Sequence, residues 1–270
     1  MPRLVPRRLV PLLELTRARI LEFVREPEAI FWVFLFPVLL AVALGIAFRE
    51  PEVAEGAAAA SVGGGAGHGG GEGRYIDFLI PGLIGLNLMG SSIWGVGFAV
   101  VQTRVRKLLK RFAASPMRRS DYLLALVFSR LIFLAAELVL ILAAGYFLFG
   151  VTVEGSLATL AFVTLVGGLS FTGIALLVSA RPETVEAASG WMNFVMMPMW
   201  ILSGSFFAYD RFPEVVHPAI RVLPLTALND ALRAVMSDGA PLVGTWLELV
   251  VMAVWGVVCF ALALRFFRWQ

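Results

Sequence analysis

The sequence predicts an all-α integral membrane protein of six spans with both ends in the cytoplasm. Two observations carry this: six long apolar stretches, and basic residues placed almost wholly on alternate connections between them. The stretches are 29–48, 78–103, 122–149, 155–180, 187–209 and 241–264. About twenty residues carry a helix across ~30 Å of hydrocarbon, and in lipid a helix pairs its backbone groups within its own segment. Six Lys and Arg precede the first span, seven lie in 104–119, Arg181 marks the fourth connection, and Arg265 and Arg268 end the chain. The intervening connections carry two, none and three. Short basic loops stay inside, so sixteen against five sets the orientation.

Composition excludes other classes. Of 270 residues, 59% are apolar and mean hydropathy is +0.85, well above the roughly 45–50% apolar content of soluble domains. The whole chain, 1–270, reads as one membrane domain. Its net charge of +3 comes from the basic loops and suits anionic headgroups or an acidic partner better than nucleic acid. Cys259 stands alone, so no intrachain disulfide forms. Ala41-Val42-Ala43 resembles a signal-cleavage triplet, but it lies inside the twenty-residue apolar run 29–48 instead of after it, and the run is expected to be retained as a span.

Residues 1–28 carry Leu9, Leu12, Leu13, Thr16, Ile20, Phe23 and Val24 on one helical face, with Glu14, Glu22 and Arg25 opposite. This reads either as a helix lying in the cytoplasmic interface or as an amphipathic helix packed on a protein neighbour. The first outer connection, 49–77, contains a glycine run from Gly63 to Gly71 broken by Ala66 and His68, the composition of a mobile linker. It lacks the Gly-Lys-Ser/Thr ending of a phosphate loop, and no such motif occurs elsewhere in the chain, so the chain has no ATPase machinery of its own. His68 and His217 are isolated, which leaves neither a metal site nor a hydrolase constellation.

The connection 104–119 sets Val105, Leu108, Leu109 and Phe112 on one helical face amid Arg104, Arg106, Lys107, Lys110 and Arg111, and Pro116 ends the pattern. It reads as a short crosswise helix able to receive a push from a partner, or as a solvated basic loop. In the third span Glu137 lies near mid-membrane, seven residues after Arg130 and so on nearly the same face. The choice is between a structural polar network and a cargo or proton site. Span two offers Asn87, Ser91 and Ser92 among glycines. Span five is rich in Met192, Met196 and other soft side chains around Asn193, suited to helix packing or to a permissive apolar path. After it, Ser203-Gly204-Ser205-Phe206-Phe207 and the pieces between Pro213, Pro218 and Pro224 are too short to cross. They suggest short re-entrant helices on the outer side, or a loop anchored by aromatics.

Four features together resemble the permease subunit of the type 2 ABC exporters of drugs, lipids and polysaccharides. They are the N-terminal amphipathic helix, the basic leucine-containing stretch ending Ala114-Ser115-Pro116, the Ser203–Phe207 motif, and Leu223-Pro224-Leu225-Thr226 leading to Asp230-Ala231-Leu232-Arg233. The resemblance implies that 104–116 is a coupling helix docking on a separate ATPase, with contacts from Arg104, Val105, Arg106, Leu108, Leu109, Arg111, Phe112 and Pro116. It implies two ATPase copies that bind ATP and magnesium, no cofactor in this chain, and a second permease chain, identical or paralogous. It further implies outward movement of a drug-like or lipid-like substrate across a prokaryotic plasma membrane. Asn87, Ser91, Glu137, Met192, Asn193, Met196, Phe206 and Phe207 are the candidates for the substrate path or the dimer interface. The alternative is an ion-coupled secondary transporter with Glu137 as proton carrier.

Overall fold

The computed structural model describes residues 10–47, 75–108, 119–206, 209 and 212–266. Among these residues all regular structure is helical. Helix α1 is Val10–Val24. Helix α2, Pro27–Ile46, contains a π-helical turn at Phe31–Leu35, and α3, Tyr75–Val105, contains one at Ile93–Gly97. Then come α4 (Arg119–Phe149), α5 (Leu157–Val178), α6 (Val185–Leu202), the single turn α7 (His217–Arg221), α8 (Pro224–Met236) and α9 (Trp246–Phe266). The Gly63–Gly71 run and Leu109, Arg111, Phe112, Pro116 and Phe207 lie outside the described residues.

Among the described residues, five helices are long and apolar enough to cross a membrane: α2, α3, α4 over Leu124–Phe149, α5, and α9 with its leading 3-10 turn as Leu242–Phe266. Helix α6 is the fifth of the six expected spans and falls outside that set. It has 18 residues, about 27 Å at 1.5 Å per residue, and carries Glu186, Asn193 and Pro198 among its apolar side chains. It was expected to run to 209, but it stops at Leu202. Gly204 takes a left-handed backbone (φ 66°), which a side chain would resist, and the chain there turns under α8.

Helices α3 and α5 form the centre of the bundle, whereas α2, α4 and α9 keep most of their apolar surface exposed. Small residues set the closest approaches. A Cβ on Gly173 of α5 would stand 2.7 Å from the Gly256 carbonyl oxygen of α9, and one on Gly256 would stand 3.1 Å from Ser170 Cα. Without a strong hydrophobic drive between helices in lipid, such backbone contact supplies the packing. Helix α1 lies on α4, its Phe23 ring 4.3 Å from that of Phe133 and 5.9 Å from that of Phe34, while Leu13, Leu21 and Val24 stay exposed.

Gly190 of α6 differs from these contact glycines, because a Cβ there would meet nothing within 4 Å. Gly190→Ala is expected to stabilise the isolated chain by about 0.5–1 kcal/mol, since glycine loses more backbone freedom in a helix than alanine. Thermal unfolding in detergent checks it. A drop in stability instead would mean that another chain approaches this face.

Candidate functional site

The basic end of the bundle is built around Arg104. Helix α3 ends one residue later: the amide of Arg106 donates to the Gln102 carbonyl (2.9 Å) and that of Lys107 to the Arg104 carbonyl (2.8 Å). Lys107 adopts φ 57°, the left-handed position that closes a helix and is usually glycine. Val105, Arg106 and Lys107 are exposed at this tip. Arg104 is not. Only 8% exposed, it donates from Nη1 to the carbonyls of Ser179 and Pro182 (both 2.8 Å) and from Nη2 to that of Ala180 (3.0 Å). The Ser179 carbonyl at the C-cap of α5 has no partner within that helix, those of Ala180 and Pro182 belong to the connection that follows, and a cation there also meets the negative end of the helix dipole. Arg104, expected to contact an ATPase, is thus turned inward, onto the C-cap carbonyl of α5 and two carbonyls of the connection after it. Leu108 turns inward, lining a groove with Leu15, Arg19 and Glu22 of α1 and Tyr122 and Leu126 of α4.

Half-way along the bundle, Asn87, Ser91 and Glu137 come together. Arg130 and Glu137, 4% and 2% exposed, pair at 2.6 Å (Nη1 to Oε1) and 3.1 Å (Nη2 to Oε2) across two turns of α4. Ser91 Oγ donates to Glu137 Oε2 at 2.9 Å and Asn87 Nδ2 does so at 3.3 Å. Arg130 also donates to Ser92 Oγ (2.9 Å), Ser91 Oγ (2.7 Å) and the Leu88 carbonyl (3.3 Å). The carboxylate is thus held by a bidentate cation and two polar groups of α3, so the network joins α3 to α4.

The other candidates separate. Met192 and Met196 are buried on the inner face of α6, with Met192 Cε 2.8 Å from where a Cβ on Gly97 would stand. Asn193 lies on the exposed face with Trp191, Phe194 and Met197. Phe206 packs at the opposite end of the bundle from Arg104, its carbonyl accepting from Tyr75 Oη at 3.0 Å.

That end holds residues whose roles the sequence did not disclose. Helix α8 has thirteen residues, about 20 Å, and is buried along most of its length against α3, α5 and α9. Asn229, fully buried, donates to the Ser203 carbonyl (3.1 Å) and Ser205 Oγ (2.8 Å). Arg233 donates to the Gly204 carbonyl, lies 3.8 Å from the Phe78 ring centroid and pairs with Asp230 at 3.8 Å. Burial pushes its guanidinium down to about 10, with Asp230 acting in the opposite direction, so it stays charged at neutral pH. Asn229 and Arg233 sit four residues apart on one face of a helix too short to cross. That spacing was visible, but the loop they clasp lies over twenty residues away.

A buried helical bundle with several apolar spans, a basic end and a short helix sunk in the other end defines a multi-pass membrane protein. Comparison with known proteins gives its class. The model of the ABC-2 type transporter family matches residues 12–237; the chain belongs to that family. It is 26% identical over 186 residues to ABC transporter G family member 20 of Dictyostelium discoideum, covering 67% of this chain and 25% of that protein. It is 24% identical over 195 residues to the probable multidrug ABC transporter permease YbhR of Escherichia coli, covering 71% and 53%. To nodulation protein J of Rhizobium meliloti it is 32% identical over 101 residues, covering 37% and 38%. The chain thus spans from a quarter to about half the length of these curated relatives.

Proposed function

We propose that this chain is the transmembrane half of an ATP-driven exporter, moving a hydrophobic or amphipathic molecule outward with a separate ATPase bound at its basic end. The carrying observation is the family match over 12–237 joined to the exposed tip Val105-Arg106-Lys107 at the end of α3. The drug-like cargo draws on the likeness to the probable multidrug permease. ATP and magnesium belong to the ATPase, of which two copies serve two permease chains, identical or paralogous, in a prokaryotic plasma membrane.

A six-span topology with cytoplasmic ends accords with the helix order. Arg181, just after α5, lies 4.8 Å from the Phe266 ring at the end of α9, so α5 and α9 end at the same level. The chain between them must therefore return across the bundle, and α6 leads from the Arg104 end to the Asn229 end. Helices α7 and α8 then act as the outer re-entrant pair. Docking of the ATPase on 105–116 would put its push at the start of the α3–α4 connection. The exposed aromatic faces of α2 (Trp32, Phe36) and α6 (Trp191, Phe194) serve lipid or the second permease chain.

Purification of the complex from native membrane tests this reading. An ATPase chain is expected to accompany the permease. Replacing Arg106 and Lys107 together by Glu should lower its recovery about tenfold or more, because like charges set against each other cost several kcal/mol and 1.4 kcal/mol is a factor of ten. No ATPase in the wild-type preparation, with cargo flux that follows the proton gradient, would instead support the secondary-transporter reading.

A further inference from the structure

We infer that Arg104 is a positioning residue that ties the docking tip of α3 to the α5–α6 connection, so that force applied at 105–108 moves both. This rests on the proposed docking of an ATPase at that tip. The connection is short, six residues from Ser179 to Thr184, and three of its carbonyl groups are held by one guanidinium. Its far end starts α6, where Thr184 Oγ1 caps the Ala187 amide at 3.2 Å. Its middle is bound to α9 through Arg181 over Phe266. Arg104 therefore ties the end of α3 to a connection that joins the ends of α5 and α6 and that meets α9 through Arg181.

The geometry has the character of a rigid joint. The side chain is buried, its charge is met by the C-terminal end of α5, and a planar guanidinium presents donors in a fixed fork that an ammonium cannot reproduce. Val105 follows immediately with no intervening loop, so a displacement of the tip is transmitted through one residue. In a loop held only by solvent, the same displacement would dissipate in the six-residue connection.

Amide hydrogen exchange on the purified permease–ATPase complex, without nucleotide and with ATP, magnesium and vanadate, tests this without knowledge of the cargo. In the wild type, nucleotide trapping is expected to change exchange at both 104–108 and 179–185. In Arg104→Gln the change at 104–108 should persist and that at 179–185 should be lost. Arg104→Lys, which keeps the charge with a poorer fork, should restore part of it, and it decides the matter where the Gln variant does not assemble. A wild-type complex that responds at 104–108 alone, or variants in which 179–185 responds as in the wild type, would overturn the joint and leave the docking intact. No response at either segment in the wild type would remove the docking reading, and the joint with it.

Discussion

Glu137→Ala is expected to cost about 3–5 kcal/mol, the range for removing one partner of a buried ion pair and leaving the other charge uncompensated. Arg130 would then face the bundle interior with only Ser91, Ser92 and the Leu88 carbonyl as partners, none of them charged. The measurement is the fraction of protein that stays monodisperse after heating in detergent. Replacing both members, Arg130→Met with Glu137→Leu, should recover much of the loss, because the desolvation of two ions disappears along with their attraction. Retention of wild-type heat stability by Glu137→Ala would contradict the structural role. A variant that folds normally but loses or exchanges cargo would make the network part of the path. Loss of folded yield would account for lost transport without assigning the carboxylate to proton movement.

The second large effect is expected at Gly82 and Gly85, which face the Ser203–Ser205 loop and α8. A Cβ on Gly82 would collide with the Ser205 carbonyl oxygen, which is backbone and cannot swing aside, and one on Gly85 would collide with Asn229 Oδ1. Asn229 is itself tied to Ser203 and Ser205, so relieving either clash disturbs the same clasp. Gly82→Ala and Gly85→Ala should each cost about 1–3 kcal/mol, typical of overpacking a filled contact. Gly145→Ala is the control, because its nearest neighbours, on Ile80, stand at an ordinary 3.7 Å. Thermal midpoints in detergent compare the three, and equal stability of all of them would refute a rigid contact between α3 and the loop.

Much of the chain was legible before any coordinates. Twenty-residue apolar runs specify helices by length alone, and α3, α4 and α5 fall within a few residues of their expected limits. The polar residues of the network were identifiable because an ionisable group at mid-membrane is costly unless partnered. That Arg130 and Glu137 reach each other across seven residues was not, since it depends on two side chains extending along α4 and on where α3 presents its serines. The inward turn of Arg104 was hidden for a related reason. Basic residues near the end of a span look alike in sequence, and only the position of the α5 terminus shows which of them is turned inward.

The sequence by itself determined the class of molecule, its helices and the charge asymmetry of its two ends, because these follow from local apolarity, periodicity and the distribution of Lys and Arg. The tertiary structure decided which arginine caps a helix and which residues at the tip stay exposed. It also decided where α6 stops and which residues of α8 clasp the loop before them. Those outcomes rest on backbone carbonyls and glycine surfaces brought together from segments about 25 to 145 residues apart, and carbonyls are the same in every residue, so no local pattern of side chains announces them.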